Sequence, residues 1–530
     1  MLNRFFKAPA AYMLIFGLSV SAVGMTSTYA YAQQCNAPYE TITRLHHPDP
    51  GAFMVWNTIY GEEGRQEKFA SAIAQDDGGV IAAGQVVMTA GVRPSLLLVA
   101  FDKRGRKAWE KIHGIPYLDG VVKILQDGGG SVILANQKPN EKDGNIWMGF
   151  FDGAGQLKSQ KIIKNPSQNL HANDIQPRVG GDGWVVTMSS IHGVVKGEAE
   201  LQKNATVLIL DREGKQVGNR SYILGKKTQV SNLGVSKFSD DRYGYIATGY
   251  FENNEGKNIG WALRLNPDLS IVWQREFSRG ISANVVSSVN DGHGGVLVAG
   301  NIKAADSKAG GVWLAKLEDA DGSMRWQRYY MGETEEHTYS VRGVSVNKDG
   351  LIALLMMAKF DEKDSAQQQS DPSAQDKMSG FGITSQSDYA HLLTLSPRGI
   401  TLSGDAFYYG QGVFLSQLLE DLSGRRVMVG YSFVEPDKTE QLQREALQPK
   451  NTPLQEDGVV NLPDVELSDK AKTGLALLQK KIDAQTVISQ NEDVQGAEES
   501  ANTAKGMGGL VQKGWVVVGD MPDPYVDPCE

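Results

Sequence analysis

The chain repeats one eight-residue frame six times, and a repeat of this kind constrains the architecture before any single residue is read for chemistry. Each copy follows a short apolar run: "DKRGRKAW" at 102–109, "DGAGQLKS" at 152–159, "DREGKQVG" at 211–218, "NPDLSIVW" at 266–273, "DADGSMRW" at 319–326 and "SPRGITLS" at 396–403. The opener is Asp, Asn or Ser, residues whose side chains cap the backbone of a turn. Glycine stands three residues later in five copies (Gly105, Gly155, Gly214, Gly322, Gly399), where a positive φ is easiest. Leu269 takes that place in the sixth. The last position is Trp in three copies and a small residue in the rest.

A second frame precedes each copy: an alternating segment, a Gly/Asp turn and a short apolar strand, as in "SAIAQDDGGVIAAG" (71–84) or "VSSVNDGHGGVLVAG" (286–300). This is a hairpin signature, and it occurs seven times, the last at 416–430. Together the frames give one antiparallel unit of about four strands per roughly 50–60 residues, the blade of a β-propeller. The fold class expected is therefore all-β, a seven-bladed propeller over 53–530. The seventh opener, Asp520, ends "KGWVVVGD" with no aromatic strand after it, whereas "FMVWNTIYG" at 53–61 is an aromatic strand with no opener before it. Joining the two completes the last blade. Trp56 then occupies the slot of Trp109, Trp273 and Trp326, and all four are expected to pack between neighbouring blades, where such rings bury large apolar area.

Residues 1–32 read as a secretory signal peptide: Arg4 and Lys7, the apolar run 11–23, then Ala30 and Ala32 in a small-x-small pattern. The run is short for a membrane span, so the mature chain is expected to be exported, periplasmic or secreted, without a transmembrane span. Residues 33–52 form an N-terminal segment. The chain carries a net charge of −9, which argues against nucleic acid as a partner. Its two cysteines, Cys35 and Cys529, stand at opposite ends of the mature chain, and an oxidising compartment predicts a disulfide between them that clamps the closed ring.

Two stretches interrupt the repeat. Residues 360–388, rich in Gln, Ser and Asp, form an expected loop between the second and third strands of blade six. Residues 435–508 interrupt blade seven at the equivalent place. There Leu467, Ala471, Leu475, Leu478 and Ile482 follow one helical face, with Ser468 as N-cap and acidic residues on both flanks. The insertion reads either as a helix docked on the propeller with solvated flanks or as an interaction element, since long loops in compact domains are often functional or disordered; on the second reading these five residues are the candidate partner-binding stripe.

No catalytic motif stands out. The sequence has no G-x-S-x-G, H-E-x-x-H, phosphate loop or C-x-x-C, and its eight histidines are scattered, with His46 and His47 before a "PDPG" turn and His293 in a hairpin turn. "DADG" at 319–322 lacks the further oxygen ligands of a calcium loop. No catalytic residue, metal or cofactor is assigned.

The D-x-x-G-x-x-x-W frame behind a DGG hairpin, clearest in "LEDADGSMRWQR" (317–328), resembles the exported bacterial propeller repeats of the SBBP or PQQ-like type, over about 53–434 and 509–524. Quinoprotein dehydrogenases share a similar tryptophan-docking frame, but their vicinal cysteine pair is absent here. The resemblance implies the fold and leaves the ligand open. The expected function is a non-catalytic exported binding or scaffold module for an envelope or extracellular macromolecule. Its expected partner is another protein of the cell envelope, and the chain is expected to be a monomer. The alternative is an enzyme using the propeller funnel, carbohydrate-active or quinone-dependent.

Overall fold

Among the described residues, alternation of apolar and polar side chains between turn signals produces 29 β-strands, which pair into seven sheets. The computed structural model describes residues 38–45, 54–434 and 511–519, apart from 361–387, short loops at 89–92, 141–143, 165–167, 193–201, 304–309 and 333–336, and residues 63, 279, 281, 410, 411 and 422. Six sheets are built on four consecutive strands: blade one at 66–113, two at 118–163, three at 168–222, four at 226–277, five at 282–332 (which gains one further strand) and six at 337–407. Blade seven takes three strands from the C-terminal part, the last Val511–Gly519, and its outermost strand from the N-terminal part, β2 (Met54–Tyr60). Tyr60 pairs with Gly514 and Trp56 with Val518, antiparallel, so the ring closes as the repeat pattern requires. The insertion at 435–508, with its expected helical stripe Leu467, Ala471, Leu475, Leu478 and Ile482, lies outside the described residues, as do Cys35 and Cys529.

The opener residues act as turn caps. Asp102 Oδ1 accepts from the backbone N–H of Arg104 at 2.8 Å and of Arg106 at 3.0 Å, and Asp152 does the same for Ala154 and Gln156. Blade five departs from this pattern. There Asp321 caps its own turn, while Asp319 is buried and turns to blade four, accepting from the N–H and hydroxyl of Ser239. Its carboxylate is thus occupied by a structural partner.

The tryptophans do sit between blades. A Cβ added to Gly105, Gly155, Gly322 or Gly399 would fall 2.6–2.9 Å from the indole ring of Trp56, Trp109, Trp273 or Trp326 on the preceding blade. Each of these glycines has φ between +71° and +75°, so a side chain there meets both strain and a ring. Trp273 also donates through Nε1 to Asp319 O at 2.8 Å. Where Ser159 replaces the tryptophan, the stem of Lys161 covers Gly214, with Cγ 3.1 Å from the added Cβ. Between blades three and four the roles reverse. Gly218 stands in the tryptophan slot, and Leu269, at φ +67°, stands in the glycine slot. Leu269 is buried in the apolar cluster that contains Tyr222, whose hydroxyl donates to Leu269 O at 2.7 Å.

Two features of the N-terminal part were not anticipated. β1 (Glu40–Leu45) adds a fifth strand to blade five, parallel to its outermost strand, with Glu40 opposite Gln327 and Leu45 opposite Gly332. Gln327 Nε2 donates to Glu40 at 2.7 Å, and Arg328 Nη1 donates to Pro38 O at 3.0 Å. The second lies at the closing joint, where Glu67 is 1% exposed. One of its oxygens accepts from Glu62 N at 3.1 Å, and the other has no partner. Burial pushes its pKa up to about 7, against the backbone hydrogen bond and the nearby Lys513 and Arg65 charges.

Candidate functional site: the central channel

The innermost strand of every blade breaks its alternation at an equivalent point by one extra residue: Ala70, Val122, Asn173, Ser231, Val286, Arg342 and Ser416. A bulge of this kind re-aims side chains locally. All seven bulge residues, and the seven that follow them, line one space of about 490 Å³ on the propeller axis. The sequence carries the cause as a four-residue frame of apolar, bulge, spacer and buried residue, for example Val121-Val122-Lys123-Ile124 and Leu415-Ser416-Gln417-Leu418.

In five blades the residue after the bulge accepts a hydrogen bond from the next blade. Ser71 Oγ accepts from Ile124 N at 3.1 Å, Asp174 Oδ2 from Leu233 N at 2.9 Å, and Asn232 Oδ1 from Ser288 N at 3.1 Å. Ser287 Oγ accepts from Val344 N at 3.4 Å, and Gln417 Oε1 from Ala72 N at 2.7 Å across the closing joint. In each case the donor is the second residue past the bulge of the following blade. The result is a belt of side chain-to-backbone bonds, all running in one direction around the channel. Two positions lack an acceptor side chain. Lys123 stands at one, and there Ile175 N is taken by Asp174 Oδ1 at 2.8 Å. Gly343 stands at the other.

Only three charged residues line the channel among the described residues: Lys123, Asp174 and Arg342. Lys123 Nζ donates to Asp174 Oδ1 at 2.7 Å, and Asn232 Nδ2 donates to Asp174 Oδ2 at 3.0 Å. With the two backbone donors this carboxylate receives four hydrogen bonds, which saturates its acceptor sites. It serves as a strut between blades two, three and four, with no lone pair free to take a proton from a substrate. Arg342 differs. Its guanidinium lies 4.2 Å over the Phe414 ring, its Nε is buried without a partner, and burial draws its pKa below the usual guanidinium value. Phe414 in turn stacks on Tyr431 at 5.1 Å, and Tyr431 meets Phe433 edge-on.

The sequence-derived stripe at 467–482 and the cysteine pair fall on residues outside the description, as do His46 and His47. His293 lies in the hairpin turn expected of it, its backbone N–H held by Asp291. Arg342, Lys123 and Asp174 were not singled out in the sequence. The signal that finds them is the doubled spacer in the inner strand, which reads as noise until all seven copies are aligned.

The strand pairing thus defines a seven-bladed β-propeller with a polar, bulge-lined axis. No protein-family model matches the chain, and no curated protein matches it. Among solved structures it is similar to a neuraminidase-like protein of A/little yellow-shouldered bat/Guatemala, at 10% identity and TM-score 0.34, over 58% of this chain and 96% of that one. A puromycin hydrolase matches at 10% identity and TM-score 0.36 over 74% and 53% of the two chains. Prolyl oligopeptidase B from Galerina marginata matches at 10% identity and TM-score 0.38 over 69% and 47%. At these values the matches carry nothing about activity, and the architecture rests on this chain's own strand register. No helix among the described residues is long and apolar enough to cross a membrane.

Proposed function

We propose that the protein is an exported, non-catalytic propeller of the bacterial SBBP or PQQ-like repeat kind. It serves as a monomeric binding or scaffold module for a protein of the cell envelope or the extracellular space. One observation carries this reading: Val434 and Val511 pair directly as neighbours in the antiparallel ladder of blade seven, although residues 435–510 intervene. The blade is complete without the insertion, so the insertion serves something other than the fold of the ring. Its apolar stripe Leu467, Ala471, Leu475, Leu478 and Ile482, with acidic flanks, suits a basic or amphipathic partner. Saturation of Asp174 by structural donors supports the same reading over a funnel enzyme. A disulfide between Cys35 and Cys529, and export under the 1–32 leader, belong to the proposal. Peptide mapping without reduction should find the two cysteines linked.

The test is deletion of 438–506 with a short Gly/Ser bridge. The expected product is a folded propeller with an unchanged melting transition that no longer retains the partner cross-linked to the full-length protein. Retention of that partner with unchanged affinity would show the insertion to be dispensable and move the binding site to the channel.

A further inference from the structure

The Lys123–Asp174 pair cancels its own charge, which leaves Arg342 as the uncompensated charge of the channel lining among the described residues. Arg342 is also the one charged side chain of the seven bulge positions. No hydrogen bond or ion pair with a described residue ends on its guanidinium. One face of that group is covered by Phe414, and an arginine held by its face keeps its N–H edge for an acceptor in the plane. Arg342 is partly buried, and charges drawn away from water are ordinarily paired, as the other two charged groups of this channel are. The surrounding lining supplies neutral hydrogen-bonding groups: the side chains of Ser231, Asn173, Ser287 and Ser416.

We propose that the channel is a binding site for a small hydroxylated carboxylate, a hydroxy acid or sugar acid, whose carboxylate is clamped by Arg342. Three features select this class. A single unpaired positive charge matches a monoanion, and a phosphate dianion would bring an uncompensated charge into the same space. A planar carboxylate accepts two parallel N–H bonds from a guanidinium fork. The hydroxyls and amides around the ring offer donors and acceptors to a polar ligand body, and about 490 Å³ accommodates a molecule of sugar size. This site is independent of the macromolecular binding proposed above, because Arg342 and Phe414 belong to the strands of blades six and seven and not to residues 435–510.

Calorimetric titration and thermal melting of the full-length protein with glucuronate, glucose and inorganic phosphate test the assignment. Glucuronate is expected to bind saturably and raise the melting temperature, while glucose and phosphate leave it unchanged. Arg342→Gln should weaken glucuronate binding at least about tenfold. Without ligand this variant should melt no lower than the wild type, because it removes an unpaired charge. Arg342→Lys, which keeps the charge and loses the fork, should fall between the two. The deletion variant lacking 438–506 should keep glucuronate binding. The proposal is overturned by a wild type that does not bind glucuronate, or by binding that survives Arg342→Gln. Equal protection by glucose or phosphate, or an unliganded Arg342→Gln protein that melts well below the wild type, would overturn it as well.

Discussion

The joint between blades four and five and the joint between blades three and four do the same job with opposite residues. At the first, Trp273 of one blade lies on Gly322 of the next. At the second, the strand offers Gly218 and the turn offers Leu269, a non-glycine residue held at φ +67°. A leucine in the left-handed region costs on the order of 1 kcal/mol, and burial of its side chain offsets this by about 1.5–3 kcal/mol. What the described joints share is therefore a filled volume rather than a fixed pair of residues. The Lys161 stem over Gly214 is a third way of filling it.

That comparison is most severely broken by Trp273→Gly, which removes the ring and its hydrogen bond to Asp319 O. We expect a loss of about 3–5 kcal/mol in urea unfolding. Adding Gly322→Leu to the same protein copies the reversed joint and should recover at least about 1 kcal/mol. A double variant less stable than Trp273→Gly alone would mean that the two joints are not interchangeable. Leu269→Gly should cost less, about 2–3 kcal/mol, because the relieved backbone strain offsets part of the lost packing. If it proves neutral, the reversed joint is unfilled and the volume argument fails.

The smallest effect is expected at the buried Glu67, which meets the chain just past β2 at Gly61 and Glu62. Glu67 has a folded pKa of about 7, above its unfolded value. The folded protein therefore holds this proton more tightly, and the associated stability, full below about pH 4.5, is lost as pH rises through 7. Glu67→Gln is neutral at every pH. After allowance for screening by the neighbouring ion pairs, it should stabilise the protein by roughly 1–2 kcal/mol at pH 8 and hardly at all at pH 5. Equal effects at the two pH values would mean that Glu67 titrates normally.

The joints and the ring closure were legible in the sequence because their signals are local. A capping Asp, a glycine three residues on and an aromatic four beyond it fall within eight positions, and the missing halves of the frame at the two ends point to each other. The turn at Asp319 shows the limit of such reading, since its carboxylate looks like a cap and serves the neighbouring blade. The belt was not legible because each bond couples residues more than 50 positions apart, as Ser71 with Ile124. Its only trace is the interrupted alternation at the equivalent point of each inner strand. β1 was missed for the same physical reason: "ETITRL" becomes a strand through parallel pairing with a segment nearly 290 positions away, and no turn leads into that pairing. Arg342 sits at a bulge where the period-two pattern changes face, so it reads from sequence as an ordinary exposed position.

The two N-terminal strands also set a schedule. β2 pairs with residues about 460 positions later, and β1 with the outer edge of blade five. The belt link from Ala72 waits for Gln417. At a synthesis rate of roughly 5–20 residues per second, β2 stays without its partner for about half a minute to a minute and a half after it is made. Early blades that folded in that interval would form an open arc, with β2 and the apolar joint of blade one uncovered. Such edges invite pairing with the wrong chain. A chain held extended until its last strand is available would meet both partners at once. The circular order of these blades thus favours folding after synthesis is complete over folding blade by blade.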